Sequence, residues 1–280
     1  ISSIIFMGAY SYTFRENKNQ IDKEENDDHK SIGHIESSIL LGSVNLLFFI
    51  FIIIQLTYLF GGESAISLQG FTYAEYARRG FFELIAVAII SLLLLIVTER
   101  NLARKDTIHR LGFKIMSTVL TLEVILIMAS AFTRLSLYEE AYGFTILRLY
   151  SHAFIILLAV IFFIFLYKIY KDKRESAFAF RGFISIILFL TIMNLLNPDV
   201  FIARRNIERY ASTGKLDVDY LSSLSSDAIP ETIKILDISD EELKKQFANG
   251  VYWLYHDINS EYLTKWQSFN ISRTRAKIIL

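Results

Sequence analysis

The 280-residue chain has no cysteine, so disulfides, thiolate nucleophiles and thiolate metal ligands are all excluded. Proline occurs only 2 times and glycine 12 times, a scarcity that suits helices and disfavours an all-β fold. Charge of one sign is also lacking: 29 Lys and Arg balance 29 Asp and Glu. Nothing in that balance points to nucleic acid, and no nucleic-acid partner is expected. No phosphate-binding glycine loop, nucleophile–base spacing or metal-ligand cluster is present, so no cofactor and no metal are expected. His29 and His34 sit five apart in a charged linker, which is a poor metal site.

Apolar residues are what the chain has in abundance. They make up 53% of it, aromatics 14%, and the mean hydropathy is +0.38. A spanning helix needs roughly 20 predominantly apolar residues. Five segments qualify: Ser37 to Phe60, Phe81 to Thr98, Ile115 to Thr133, Leu149 to Tyr167 and Gly182 to Asn197. Each is apolar all round, as lipid and bundle contacts require. The expected fold is therefore all-α, a polytopic membrane protein with about five spans. Residues 1–14 (ISSIIFMGAYSYTF) are apolar but too short to span, and read as the end of a preceding membrane or interfacial segment. The first residue is Ile1, and the chain is expected to be a piece of something longer. Residues 15–36 read as an acidic, solvated cytoplasmic linker, 37–197 as the transmembrane domain and 198–280 as a small extracytoplasmic helical domain.

Orientation follows from the loops. The second-to-third connection carries Arg100, Arg104, Lys105, Arg110 and Lys114, and the fourth-to-fifth carries Lys168, Lys171, Lys173, Arg174 and Arg181. Loops rich in Lys and Arg face the cytoplasm. That places the C-terminal domain outside, although Arg204, Arg205, Arg209 and Lys215 follow the last span and argue the other way. In this domain Asn197 is expected to cap a helix that opens on Pro198 and stops at Gly214. Ser239 and Glu242 have the spacing of a capping box.

Ionisable groups inside a span are costly and point to function. Glu123 lies near the midplane of the third span. Gln55, Glu83, His152 and Asn194 fall roughly 6–10 Å toward the outer side of their own midpoints, and Ser130 at a similar level. Glu75, Arg79 and Glu83 are spaced i, i+4, i+8, and Arg148 and His152 i, i+4, so each set shares a helical face. Arg134, Glu139 and Glu140 are placed in the adjoining outer loop. These residues suggest an outward-facing polar pocket containing both signs of charge.

Three stretches carry a resemblance: FTYAEYARRGFFELIAVAII (71–90), LYEEAYGFTILRLYSHAF (137–154) and NPDVFIARRNIERY (197–210). LDVDYLSSLSSDAIP (216–230) and WQSFNISRTRA (266–276) extend it. The chain resembles bacterial multi-pass membrane proteins catalogued only as domains of unknown function, over most of residues 60–280. The resemblance implies a bacterial plasma-membrane protein and supplies no activity. It singles out Tyr73, Glu75, Tyr76, Arg78, Gly80 and Glu83, then Tyr142, Gly143, Arg148 and His152, then Asn197, Arg204, Arg205, Asn206 and Tyr210.

The leading functional expectation is a non-enzymatic protein that senses or binds an extracytoplasmic ligand or a membrane-protein partner. The binding layer would comprise Glu75, Arg78, Arg79, Glu83, Arg148, His152, Asn194, Arg204 and Arg205. An enzyme acting on a lipid-linked substrate, with Glu75, Glu83 or His152 as general base, is the second class. A transporter subunit using Glu123 as an ion or proton relay is the third. The orientation beneath all three is tested by labelling a single cysteine introduced at residue 105 or 220. Label added from outside should reach position 220 and spare position 105; labelling of 105 would overturn the orientation.

Overall fold

The computed structural model describes residues 33–60, 81–102, 107–171, 175–238, 240–258 and 271–279. Glu75, Arg78 and Arg79, the shared face expected from Glu75 to Glu83, the segment 1–14 and most of the linker lie outside these residues. The described residues form helices and no strand. Among the described residues five helices are long and apolar enough to cross a membrane: α1 (His34–Phe60), α2 (Phe81–Asn101), α3 (Thr107–Tyr142), α4 (Ile146–Lys171) and α5 (Glu175–Leu195). The protein is thus an all-α polytopic membrane protein. A C-terminal series follows: α6 (Pro198–Thr213), α7 (Val218–Ser222), a 3-10 turn at Ser226–Ala228, α8 (Ile229–Thr232), a second 3-10 turn at Ile233–Asp237, α9 (Glu241–Ile258) and α10 (Ile271–Ile279).

The long helices run past the apolar limits read from sequence. Charged residues end an apolar run, but they do not end a backbone hydrogen-bond ladder. The third helix shows this most clearly: it has 36 residues, about 54 Å at the rise of an α-helix, against a hydrocarbon core of about 30 Å. Arg134, Glu139 and Glu140 therefore lie on α3 and not in a loop. Burial ranks the helices. In their most apolar windows α3 is 44% buried and α5 only 6%, so α3 makes the most protein contact of the five and α5 the least. Two hydroxyls within the spans return to their own helix, Ser91 to the Val87 carbonyl (2.7 Å) and Thr191 to that of Ile187 (2.8 Å). Each is satisfied without interrupting the ladder, as an apolar medium demands.

The described residues fall into two compact units, one drawn from 33–60, 81–131 and 156–186, the other from 132–155 and 187–279. In the first, polar ties join helices otherwise packed through Leu41, Leu95, Leu120 and Phe162. Asn45 donates to the Met116 carbonyl (3.3 Å), and Ser130 donates to Gln55 (2.9 Å). Lys168, 3% exposed, meets the Glu99 carboxylate at 2.5 Å. Such a pair holds geometry more than it adds stability, because both charges had to leave water.

In the second unit the C-terminal series builds its own core from Ile202, Ala203, Val218, Leu221, Ile235 and Phe247. Phe144 and Leu149, from the end of the α3–α4 hairpin, pack against the same core. Gly214 ends α6 at φ 64°, its N–H bonded to the Tyr210 carbonyl. One expected cap is replaced by another device. Asn197 makes no side-chain cap; it adopts a left-handed conformation (φ 46°) that turns the chain sharply from α5 into α6. The capping box expected from Ser239 lies outside the described residues, and helix α9 has Asp240 at its start, the carboxylate accepting from the Glu242 and Leu243 N–H groups at 3.0 and 3.3 Å. A carboxylate is favoured there by the helix dipole.

Helices α7 and α9 approach closely at Gly250, where an added Cβ would lie 2.6 Å from Ser222 Cβ. Gly250→Val should cost about 1–3 kcal/mol, the range for overpacking, read as a lower thermal midpoint and easier proteolysis of the C-terminal segment. Gly112→Ala, which meets nothing within 4 Å, should stabilise by up to about 1 kcal/mol through helix propensity alone. Equal effects from the two would contradict the packing described.

Candidate functional site

The polar residues of the second unit gather around the three-residue turn from α3 to α4. A short turn between two long helices leaves backbone groups unsatisfied, and here the C-terminal series satisfies them. Asn206, 6% exposed on α6, accepts from the Phe144 N–H (2.8 Å) and donates to the Phe144 carbonyl (2.9 Å). Its amide thus pairs with one residue's backbone as a neighbouring strand would. The Tyr220 hydroxyl accepts from the Ile146 N–H (2.9 Å), and burial pushes that phenol's pKa up. Arg209 donates to the carbonyls of Glu140 (3.1 Å) and Lys215 (3.2 Å). Arg148 donates to the Gly143 carbonyl.

Only glycine fits at position 143. Its φ is +85°, and a Cβ would stand 2.6 Å from Asn206 Oδ1 and 3.2 Å from an Arg209 nitrogen. The second and third sequence blocks are therefore joined by hydrogen bonds, and the segment beginning at Leu216 joins them through Tyr220.

Two guanidinium groups meet here, and among the described residues no carboxylate pairs with either. Arg148 lies 4.2 Å from the centre of the Tyr138 ring. Burial and then the neighbouring Arg148 hold Arg209 below the ordinary arginine value. Its Nε is buried and has no hydrogen-bond partner.

His152 stands one turn along α4 from Arg148. Its Nε2 is 3.1 Å from the Ser136 hydroxyl and its Nδ1 is 3.4 Å from a Glu139 carboxylate oxygen. The Phe132 ring meets it edge-on at 4.3 Å. Phe132, Ser136 and Glu139 are spaced i, i+4, i+7, so one face of α3 receives the imidazole.

The remaining candidates are more dispersed. Arg204 pairs with Glu231 at 3.0 Å, and hydrogen bonds from Lys234 and then Arg204 hold that carboxyl below its ordinary value. Arg205 pairs with Glu208 at 3.2 Å within α6 and lies over the Phe201 ring. Asn194 is exposed on α5. Glu83 belongs to the first unit, exposed in the first turn of α2, where the helix dipole favours a carboxylate. Glu123, also in the first unit, is buried on α3 with Oε2 lacking a hydrogen-bond partner. No group of three or more His, Asp or Glu able to hold a metal occurs among the described residues.

Sequence reasoning missed Ser136, Tyr138, Arg209 and Tyr220 as participants. Ser136 and Glu139 had a readable signal in their spacing with Phe132. Tyr220 had none, because its partner is a backbone N–H 74 residues away.

A family model described as "Domain of unknown function (DUF4153)" matches residues 1–235. The match takes in residues 1–59, which the resembling blocks leave out, and stops before WQSFNISRTRA. No curated protein and no solved structure matches the chain.

Asn206→Ala would strand both backbone groups of Phe144, at about 1–3 kcal/mol for each buried group left unpaired. The thermal midpoint should fall clearly, and Arg205→Ala on the exposed face of α6 should leave it within about 0.5 kcal/mol of the parent. Equal midpoints for the two variants would remove the Asn206 contact as a structural tie.

Proposed function

The chain belongs to that family, whose description carries no activity, and we propose that it is a bacterial plasma-membrane protein that senses an anionic ligand, or an anionic group of a partner protein. Binding takes place at the extracytoplasmic corner built around the α3–α4 turn. The carrying observation is the meeting of Arg148 and Arg209 with no carboxylate paired to either among the described residues. Two like charges at one corner repel, and Arg148 adds a second cost by standing in the first turn of α4, where the helix dipole disfavours a cation. A carboxylate or phosphate placed between them would remove both costs, with charge-assisted hydrogen bonds in return. The loop charges support an extracytoplasmic position for this corner. Arg204, Arg205 and Asn194, in the same unit, are proposed as the outer approach to it, and Glu75, Arg78, Arg79 and Glu83 as a further part of the polar layer.

A catalytic reading has one observation in its favour. Ser136, His152 and Glu139 have the order of a nucleophile, a base and an orienting acid. Ser136 lies inside a helix, however, and its hydroxyl also donates to the Phe132 carbonyl (3.0 Å). The backbone N–H groups around it are consumed by the helix, leaving no donors for an oxyanion. The same three residues work well as a tie between α3 and α4, so the binding reading stands first.

The test is the thermal midpoint of the purified full-length protein titrated with inorganic phosphate and with citrate. A saturable rise is expected for the parent, reduced at least severalfold in Arg209→Gln and in Arg148→Gln. No response to either anion, or the same response in both variants, would overturn the proposal. Loss of a lipid-directed hydrolytic activity in Ser136→Ala would place the catalytic reading first.

A further inference from the structure

In the first unit, α4 and α5 leave an open groove of about 280 Å³ lined by Val160, Phe163, Ile164, Tyr167 and Arg181. The four α4 residues are spaced i, i+3, i+4, i+7 and form a single stripe. The stripe runs over eight residues, seven helical steps or about 10 Å along the helix. Val160, Phe163 and Tyr167 are 42%, 56% and 46% exposed, which in a spanning helix means that they face lipid. One end of the stripe is different. There the Arg181 guanidinium stacks on the Tyr167 ring at 4.8 Å, with its Nη1 buried and without a hydrogen-bond partner.

We propose that this groove is a binding site for one anionic phospholipid, an acyl chain lying along the α4 stripe and the phosphodiester seated on Arg181. The chemistry of each end selects its half of the ligand. An apolar trough in a spanning segment takes hydrocarbon. A guanidinium with an unmet donor takes a phosphate oxygen, to which its planar fork is matched. Lys168, near the same end of α4, is already neutralised by Glu99 at 2.5 Å, so its charge is not available to the lipid. Arg181 is not neutralised in this way: no carboxylate pairs with it among the described residues.

The depth agrees with a lipid headgroup. Arg181 is in the second turn of α5, which begins at Glu175, and Tyr167 is in the last turn or so of α4, which ends at Lys171. Both therefore lie roughly 6–9 Å in from their helix ends. The sequence at this junction carries Lys171, Lys173 and Arg174 against Asp172 and Glu175, a net positive charge that favours a lipid of net negative charge over a zwitterion whose own cation would be repelled. The site is separate in residues and chemistry from the corner around Arg148 and Arg209, and does not depend on that proposal.

Native mass spectrometry of the full-length protein tests it, with equal amounts of phosphatidylglycerol and phosphatidylcholine of matched chains added in mild detergent. The parent should retain one phosphatidylglycerol with a preference of about tenfold, because both lipids carry the phosphodiester and only phosphatidylcholine brings a second cation beside Arg181. Arg181→Gln should bring the two lipids close to parity, and Arg181→Lys should keep part of the preference. Val160→Trp, which fills the trough and leaves the cation, should lower retention of both lipids. Inorganic phosphate in excess should not displace the bound lipid. Equal retention of the two lipids by the parent would overturn the proposal, as would an undiminished preference in Arg181→Gln. Displacement by free phosphate, or a lipid-free dimer whose interface covers the groove, would overturn it as well.

Discussion

The amide of Asn206 takes both backbone groups of Phe144, and much of the second unit follows from that pairing. A turn of three residues between two membrane-length helices leaves polar backbone with no partner of its own. The α6 amide supplies one, and it does so at a glycine with φ +85° because any side chain at position 143 would occupy the space of Asn206 Oδ1. Once the amide is seated, Phe144 is held against Ile202, Ala203 and their neighbours, Tyr220 is brought to the Ile146 N–H, and Arg209 to the Glu140 carbonyl. Backbone pairing thus sets where the charged groups stand.

The electrostatics of the corner follow from this geometry. Arg209 is held by carbonyl oxygens, and Arg148 by a carbonyl and an aromatic face. Neither environment removes positive charge, and among the described residues no carboxylate compensates the pair. Several other cations are matched to carboxylates, Lys168 to Glu99 and Arg204 to Glu231 among them. The contrast separates charges that fasten helices from charges left to meet something else. Arg181 belongs to the second group, and its apolar surroundings give it a different ligand.

The spans were legible because an uncharged apolar run of bilayer length is costly to keep in water, and five such helices are present. Their ends were not legible, since Arg134 and Glu139 interrupt hydropathy without interrupting the α3 ladder. The second and third sequence blocks meet in one unit: Gly143, Arg148 and His152 come from the second and Asn206 from the third. Their roles were hidden by sequence distance. Nothing in the local pattern of residue 206 announces a backbone partner 62 residues earlier, and nothing near Asn197 announces a left-handed turn in place of a cap. Glu139 read as a loop charge until the helix carried it to His152.

The central claim is that the C-terminal series holds the α3–α4 turn through its backbone. Amide hydrogen exchange over residues 140–150 of the full-length protein tests this most directly, resolved to Phe144 and Ile146. The account predicts that both amides exchange as slowly as those within the first turns of α4, and that Asn206→Ala releases Phe144. Exchange of Phe144 and Ile146 at the rate of an open loop in the parent protein would contradict it.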